Sequence, residues 1–212
     1  MNLGHLDTTI KDIAAYPAIT KPEIHWVGQA SGGFAISRNG WIEIKGAGLA
    51  PAGTSLVWSS APDFAQNRMP TTLGGVSVKI NGKPAYVYFV SPDQVNVLAG
   101  LDTTTGTVNV EVTNGSQTSD PFPVLKNAAS PSFFYFGATS YVAATHANGS
   151  LLGPTYMSAP GFPFTPAKPG ETIVLYGSGF GITLGSLTEG AATQSGALPN
   201  LPAVTIGGKT AT

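Results

Sequence analysis

The sequence predicts an all-β chain built as two tandem Ig-like β-sandwich modules, the second lacking its final strands. Three observations predict it. Short apolar or alternating runs end repeatedly at turn residues. Gly and Pro supply 27 and 17 of the 212 residues, which breaks up any long helical run. One set of motifs also occurs twice in the same order. An interior Gly costs a helix about 1 kcal/mol and an interior Pro about 3 kcal/mol, so long helices are disfavoured. With 42% hydrophobic and only 10% charged residues, the chain has the apolar content of a packed core rather than of a disordered segment.

The strands follow in order. Trp41-Ile42-Glu43-Ile44-Lys45 runs into Gly46-Ala47-Gly48. Val76-Ser77-Val78-Lys79-Ile80 meets Asn81-Gly82, whose two residues tolerate the positive φ of a tight hairpin. Tyr86-Val87-Tyr88-Phe89-Val90 stops at Ser91-Pro92-Asp93, and a further strand spans 94–98. Thr107 through Val112 alternates, which puts Val108, Val110 and Val112 on a core face and Asn109 and Glu111 towards water. Strands at this spacing read as a sandwich.

The internal repeat sets the organisation. Phe34–Gly40 is echoed by Phe164–Gly170, and Ile42–Leu49 by Ile173–Phe180. Val78-Lys79-Ile80-Asn81-Gly82-Lys83 is echoed by Val204-Thr205-Ile206-Gly207-Gly208-Lys209, and Pro22–Gly28 by Pro131–Gly137. Matches in one order imply two copies of one unit. The expected division is a leader over 1–21, a first module over 22–126 and a second over 131–212, joined near Lys126–Ser130. The second copy carries an insertion near 137–163, where Tyr141–Thr145 reads as a strand entering a turn at His146–Ser150. Few residues follow Val204, so the second module is expected to lack its last strands. The natural protein is then expected to continue past Thr212, or another chain to fill the gap.

Several of these runs carry a family resemblance. Leu73–Ala85 with Phe89–Val97, Tyr141–Ser150 and Pro169–Gly181 resemble C-terminal domains of exported acidobacterial proteins, over about 22–212. The modules are similar to Ig-like folds of the IPT/TIG type, in which a Gly-x-Gly turn follows an early strand. The resemblance implies a place at the C-terminal end of a larger secreted or cell-surface protein, and it implies no catalytic residues.

Composition narrows the chemistry. Ten Lys and Arg against eleven Asp and Glu give a net charge of −1, which offers nothing to hold a polyanion, so nucleic acid is not an expected partner. The absence of Cys removes disulfides, thiolate nucleophiles and Cys-type metal sites. No run reaches the roughly 20 apolar residues of a membrane-spanning helix, and the N-terminus Met1–Asp7 lacks the pattern of a signal peptide.

Catalytic motifs fare little better. Gly177-Ser178-Gly179-Phe180-Gly181 looks like a phosphate loop, but no helix follows it and Gly46-Ala47-Gly48 repeats its form, so its glycines are expected to serve a turn. His5, His25 and His146 are scattered, with no i,i+4 pair for zinc and no G-x-S-x-G elbow beside them. A hydrolytic site, if one exists, would be assembled around His146. Asp63, Asp93, Asp102 and Asp120 sit in turn contexts, where the carboxylate caps backbone. No EF-hand spacing supports calcium. No cofactor and no metal are expected.

One ligand surface is conceivable from the aromatics. Tyr86 and Tyr88 share one face of a strand, with Val87 and Phe89 on the other, and outward tyrosines can stack on a sugar. Trp58, beside a long loop, is the tryptophan best placed to join them. The functional expectation is a non-catalytic extracellular spacer or adhesion module. A carbohydrate-binding module using Tyr86, Tyr88 and Trp58 is the alternative, and an esterase or glycosidase with an unrecognised site the third. Expected partners are other domains of the parent protein, a polysaccharide or a surface protein, and a second copy through the incomplete module.

Overall fold

Alternation of apolar and polar residues turns into paired strands most completely in the first half of the chain. The computed structural model describes residues 21–61, 64 and 67–211. Asp63, His5 and all of the expected leader but Lys21 lie outside the described residues. Twelve strands occupy the described residues of the first half: β1 (Glu23–Gln29), β2 (Ile36–Ser37), β3 (Trp41–Ala47), β4 (Leu56–Val57), β5 (Thr72–Leu73), β6 (Val76–Ile80), β7 (Lys83–Pro84), β8 (Tyr86–Val90), β9 (Gln94–Leu98), β10 (Gly106–Asn114), β11 (Gln117–Thr118) and β12 (Phe122–Asn127). No α-helix occurs among the described residues.

These strands form two sheets. One runs β1-β3-β9-β8-β4, and the other runs β2-β12-β10-β6-β5 with β7 and β11 as hairpin extensions. Ile42, Ile44, Val87, Val95 and Val97 of the first sheet meet Val76, Val78, Val108, Val110, Val112 and Val124 of the second in one core. The fold is an all-β sandwich, as the alternation predicts. Asn81 and Gly82 both have positive φ, 54° and 72°, and close the β6–β7 hairpin between Ile80 and Lys83.

The second half is built of shorter pieces: β13 (Ser132–Phe133), β14 (Ala144–His146), β15 (Leu151–Leu152), β16 (Phe164–Thr165), β17 (Ile173–Leu175), β18 (Gly177–Ser178), β19 (Thr205–Ile206) and β20 (Lys209–Thr210). Their registers match the first half at the repeated motifs. β1 pairs with β3 through Glu23↔Ala47 and Ile24↔Gly46, and β13 pairs with β18 through Ser132↔Ser178 and Phe133↔Gly177. The β6–β7 pairs Lys79↔Pro84 and Ile80↔Lys83 reappear in β19–β20 as Thr205↔Thr210 and Ile206↔Lys209. Between β13 and β14 the chain leaves the strand line and returns through a Tyr135↔Val142 bridge. Phe134 N–H donates to the Tyr176 carbonyl, and Tyr176 N–H donates to the Ala143 carbonyl. β13 and β14 therefore lie along one edge of β17 and β18.

Lys126, the last residue of the expected first module, lies near the end of β12 and is only 1% exposed. One expectation needs correction. Phe89 does not share the face of Val87. A bulge between Val87 and Phe89 sets Phe89 opposite Asn96, on the outer side of the sheet.

The halves also touch through a strap that the sequence did not signal. Residues 188–194 cross the outer face of the first sheet. Met69 N–H donates to the Gly190 carbonyl, Ala192 N–H to the Asn67 carbonyl, and Asn39 Nδ2 to Gln194 Oε1 at 2.8 Å. The strap lacks alternation because its role is to cover a face already formed.

Candidate functional site

The outer face of the first sheet carries a row of large side chains set by strand register. Trp41 lies opposite Leu98 and Leu98 opposite Tyr86, so the three stand side by side across β3, β9 and β8. The strap closes over one end of this row. Tyr86 is only 5% exposed, and Gly190 lies so close to its ring that a Cβ there would overlap it. The Tyr86 hydroxyl accepts from Arg68 Nη2 at 2.9 Å, and the Arg68 guanidinium lies 5.4 Å from the ring centroid. That hydrogen bond, first among its causes, raises the Arg68 pKa above its ordinary value. Tyr86 thus belongs to the covered part of the face and has no free ring surface for a ligand.

Tyr88 and Trp58 lie at the open end. The β8 bulge makes Tyr88 the extra residue and turns it outward at 37% exposure. Its ring packs edge-on against Trp41 at 5.3 Å between centroids and lies 6.4 Å from Trp58. Trp58 follows β4 on a single 3-10 turn and contacts Phe64 at 4.1 Å. The structure therefore brings two of the three expected aromatic residues together and adds Trp41 and Phe64. Edge-to-face contacts of this kind fix ring orientation before any ligand arrives.

A second polar feature lies at the covered end. Asp102 Oδ2 accepts from Lys126 Nζ at 2.8 Å and Asn81 Nδ2 at 3.0 Å, while Oδ1 accepts from Lys83 Nζ at 2.9 Å and Thr104 Oγ1 at 3.1 Å. Lys126 Nζ also donates to the Asp102 backbone carbonyl at 2.7 Å. The Lys126 hydrogen bond above all holds the Asp102 carboxyl far below the usual carboxylate range, against the opposing effect of burial. Beside it, Glu189 Oε1 accepts from the Leu101 N–H at 2.5 Å. A carboxylate with both oxygens taken up by donors is a poor proton acceptor and a poor nucleophile, so this cluster is structural. Asp102, expected to cap backbone, instead forms a largely buried ion pair with Lys126.

The histidine singled out for hydrolysis has partners of its own. His146 Nε2 lies 2.8 Å from Thr165 Oγ1 and 3.2 Å from the Thr165 carbonyl, and Nδ1 lies 3.2 Å from Glu171 Oε1. Thr165 is on β16, His146 on β14 and Glu171 just ahead of β17, so the ring clamps three segments of the second half. His25 is exposed on β1 beside Glu23. Among the described residues no group of three or more His, Cys, Asp or Glu could hold a metal ion.

The Gly-x-Gly turns answer the phosphate-loop question. Gly48 and Gly179 have φ of 62° and 82°, and a Cβ on Gly179 would overlap the Ser130 carbonyl oxygen. These glycines are required by the turn itself.

Comparison with known proteins adds a distant fold neighbour. No protein-family model matches the chain, and no curated protein matches it. A crystal structure of a γ-CGTase from an alkalophilic Bacillus clarkii is similar at a TM-score of 0.36 and 13% identity, over 74% of this chain. The chain spans 21% of that protein's length. No helix among the described residues is long and apolar enough to cross a membrane.

Proposed function

We propose that the chain is a non-catalytic binding and spacer module of an exported bacterial protein, and that its working surface takes a carbohydrate. The observation that supports this most is the open aromatic cluster of Tyr88, Trp58, Trp41 and Phe64 on the outer face of the first sheet. A pyranose ring offers an apolar C–H face and a hydroxyl rim. Fixed aromatic rings take the face, and the Tyr88 hydroxyl is available to the rim. The tandem arrangement inferred from the matched registers makes the second half a spacer beside this surface. Affinity electrophoresis through gels containing different polysaccharides tests the reading. Retardation by at least one glycan, lost in Tyr88→Ala, is the expected result. Unretarded migration in every gel removes it.

A hydrolytic reading has one observation in its favour, the Thr165–His146–Glu171 order, which matches hydroxyl, base and orienting acid in acyl transfer. Against it, both ring nitrogens are engaged in bonds that tie strands together. Assay on aryl esters decides between them: turnover lost in both Thr165→Val and His146→Ala supports hydrolysis, and no turnover supports the clamp.

A further inference from the structure

Beyond the aromatic cluster, the outer face of the first sheet continues as two polar rungs set by strand register. Ile42 and Ile44 of β3 and Val95 and Val97 of β9 turn into the core, so the residues between them turn outward. Glu43 stands opposite Asn96, and Lys45 opposite Gln94. Each of the four is half-buried or exposed. The Asn96 rung adjoins the cluster, because Tyr88 is the residue bulged out beside Phe89, and Phe89 pairs with Asn96.

A second aromatic stands at the far end. Trp26 lies opposite Lys45 on β1, with Lys45 Nζ 5.7 Å from its ring centroid. The Trp26 ring lies over Gly28, where a Cβ would overlap it, and Gly28 is opposite Glu43. Gly28 therefore lets the indole lie along the sheet beside the polar rungs instead of standing away from it. From Trp41 to Lys45 the strip runs about 14 Å, at about 3.4 Å per strand residue, which is longer than one pyranose ring.

The side chains between the aromatic ends suit hydroxyls and carry no net charge. Glu43 Oε2 lies 3.3 Å from Lys45 Nζ, so the two charges offset each other. Gln94 Nε2 donates to Asn96 Oδ1 at 3.0 Å, which orients both amides. Beyond those bonds the rungs retain the Asn96 amide N–H groups, the Gln94 carbonyl oxygen, the second Glu43 oxygen and the remaining ammonium protons. Donors and acceptors thus lie side by side, as a rim of sugar hydroxyls requires, and no excess charge selects an acidic sugar. Rings at both ends with hydrogen-bonding groups between them suit an extended chain lying along the face better than a single sugar.

We propose that the sugar-binding surface is this whole strip, from Tyr88 and Trp41 to Trp26, and that its ligand is a neutral linear polysaccharide bound along its length. The inference rests on the reading that the aromatic cluster takes a carbohydrate, and it adds the ligand's extent and charge.

The test uses the whole 212-residue chain. Gels carry neutral linear glycans (hydroxyethyl cellulose, glucomannan, mixed-linkage β-glucan) or acidic ones (alginate, polygalacturonate). Calorimetry follows with the di-, tetra- and hexasaccharide of the glycan that retards the chain. Retardation by a neutral glycan is expected, with affinity at least about tenfold higher for the hexasaccharide than for the disaccharide. Trp26→Ala and Gln94→Ala, each checked for retained far-UV circular dichroism, are expected to weaken the hexasaccharide and leave the disaccharide unchanged. Equal affinity at every length, or wild-type hexasaccharide binding by both variants, overturns the proposal, while retardation that depends on Tyr88 keeps the carbohydrate reading. Retardation by acidic glycans alone overturns it in the same way. Unretarded migration in every gel removes the reading and the proposal together.

Discussion

Gly46 and Gly177 hold the same place in two separate strand pairs: a Cβ on either would overlap a carbonyl oxygen of the adjoining strand, Glu23 in one and Ser132 in the other. Each glycine permits an approach that no other residue allows. Gly46→Ala is expected to destabilise the sandwich of the first half by about 1–3 kcal/mol through overpacking. Gly177→Ala is expected to loosen β13 from β18 with little effect on the first core. Urea unfolding followed by amide exchange separates the two.

Asp102→Asn leaves the ammonium of Lys126 buried without its counter-charge, and is expected to cost about 3–5 kcal/mol. The pH dependence has a definite sign. The folded carboxyl titrates below its unfolded value of about 4, so its stabilisation is present above that pH and is lost as pH falls through the folded pKa. Denaturation midpoints measured from pH 7 downward should therefore fall below about pH 4 in the wild type. Asp102→Asn starts lower and shows a shallower acid decline.

Tyr86 and Tyr88 are two residues apart and are expected to respond oppositely. Tyr86→Ala opens a cavity beneath the strap and removes the Arg68 partner, at a cost of about 3–5 kcal/mol. Tyr88→Ala removes a partly exposed ring and is expected to leave the melting temperature nearly unchanged while removing glycan retardation. Thermal melts beside affinity electrophoresis check both.

His146→Ala is expected to accelerate amide exchange across β14, β16 and the start of β17, because one ring on β14 joins Thr165 and Glu171. Exchange in the sandwich of the first half should not change. A uniform increase through the whole chain would mean that the clamp supports more than the second half.

The strands 76–80, 86–90 and 94–98 were legible in the sequence because alternation and turn residues bound them, and the structure places them at those residues. The Asn81-Gly82 hairpin was legible for the same reason. The β8 bulge was not, since Tyr86 through Val90 is apolar or aromatic at every position and no residue marks itself as extra. The Asp102–Lys126 pair was hidden because a lysine near a strand end reads as solvated. Trp58 was grouped with Tyr86 and Tyr88 only as an alternative ligand surface, and packing over both faces of that strand was the favoured reading, but what covers Tyr86 was not legible. Its cover comes from residues 188–194, about a hundred positions away and without periodicity.

Tryptophan emission of the whole chain, titrated with soluble oligosaccharides from any polysaccharide that retards it, tests the central claim most directly. A saturable change that Trp58→Ala abolishes while keeping its circular dichroism is the predicted result. Emission that stays flat in the wild type, or changes equally in Trp58→Ala, would contradict a sugar bound on this face.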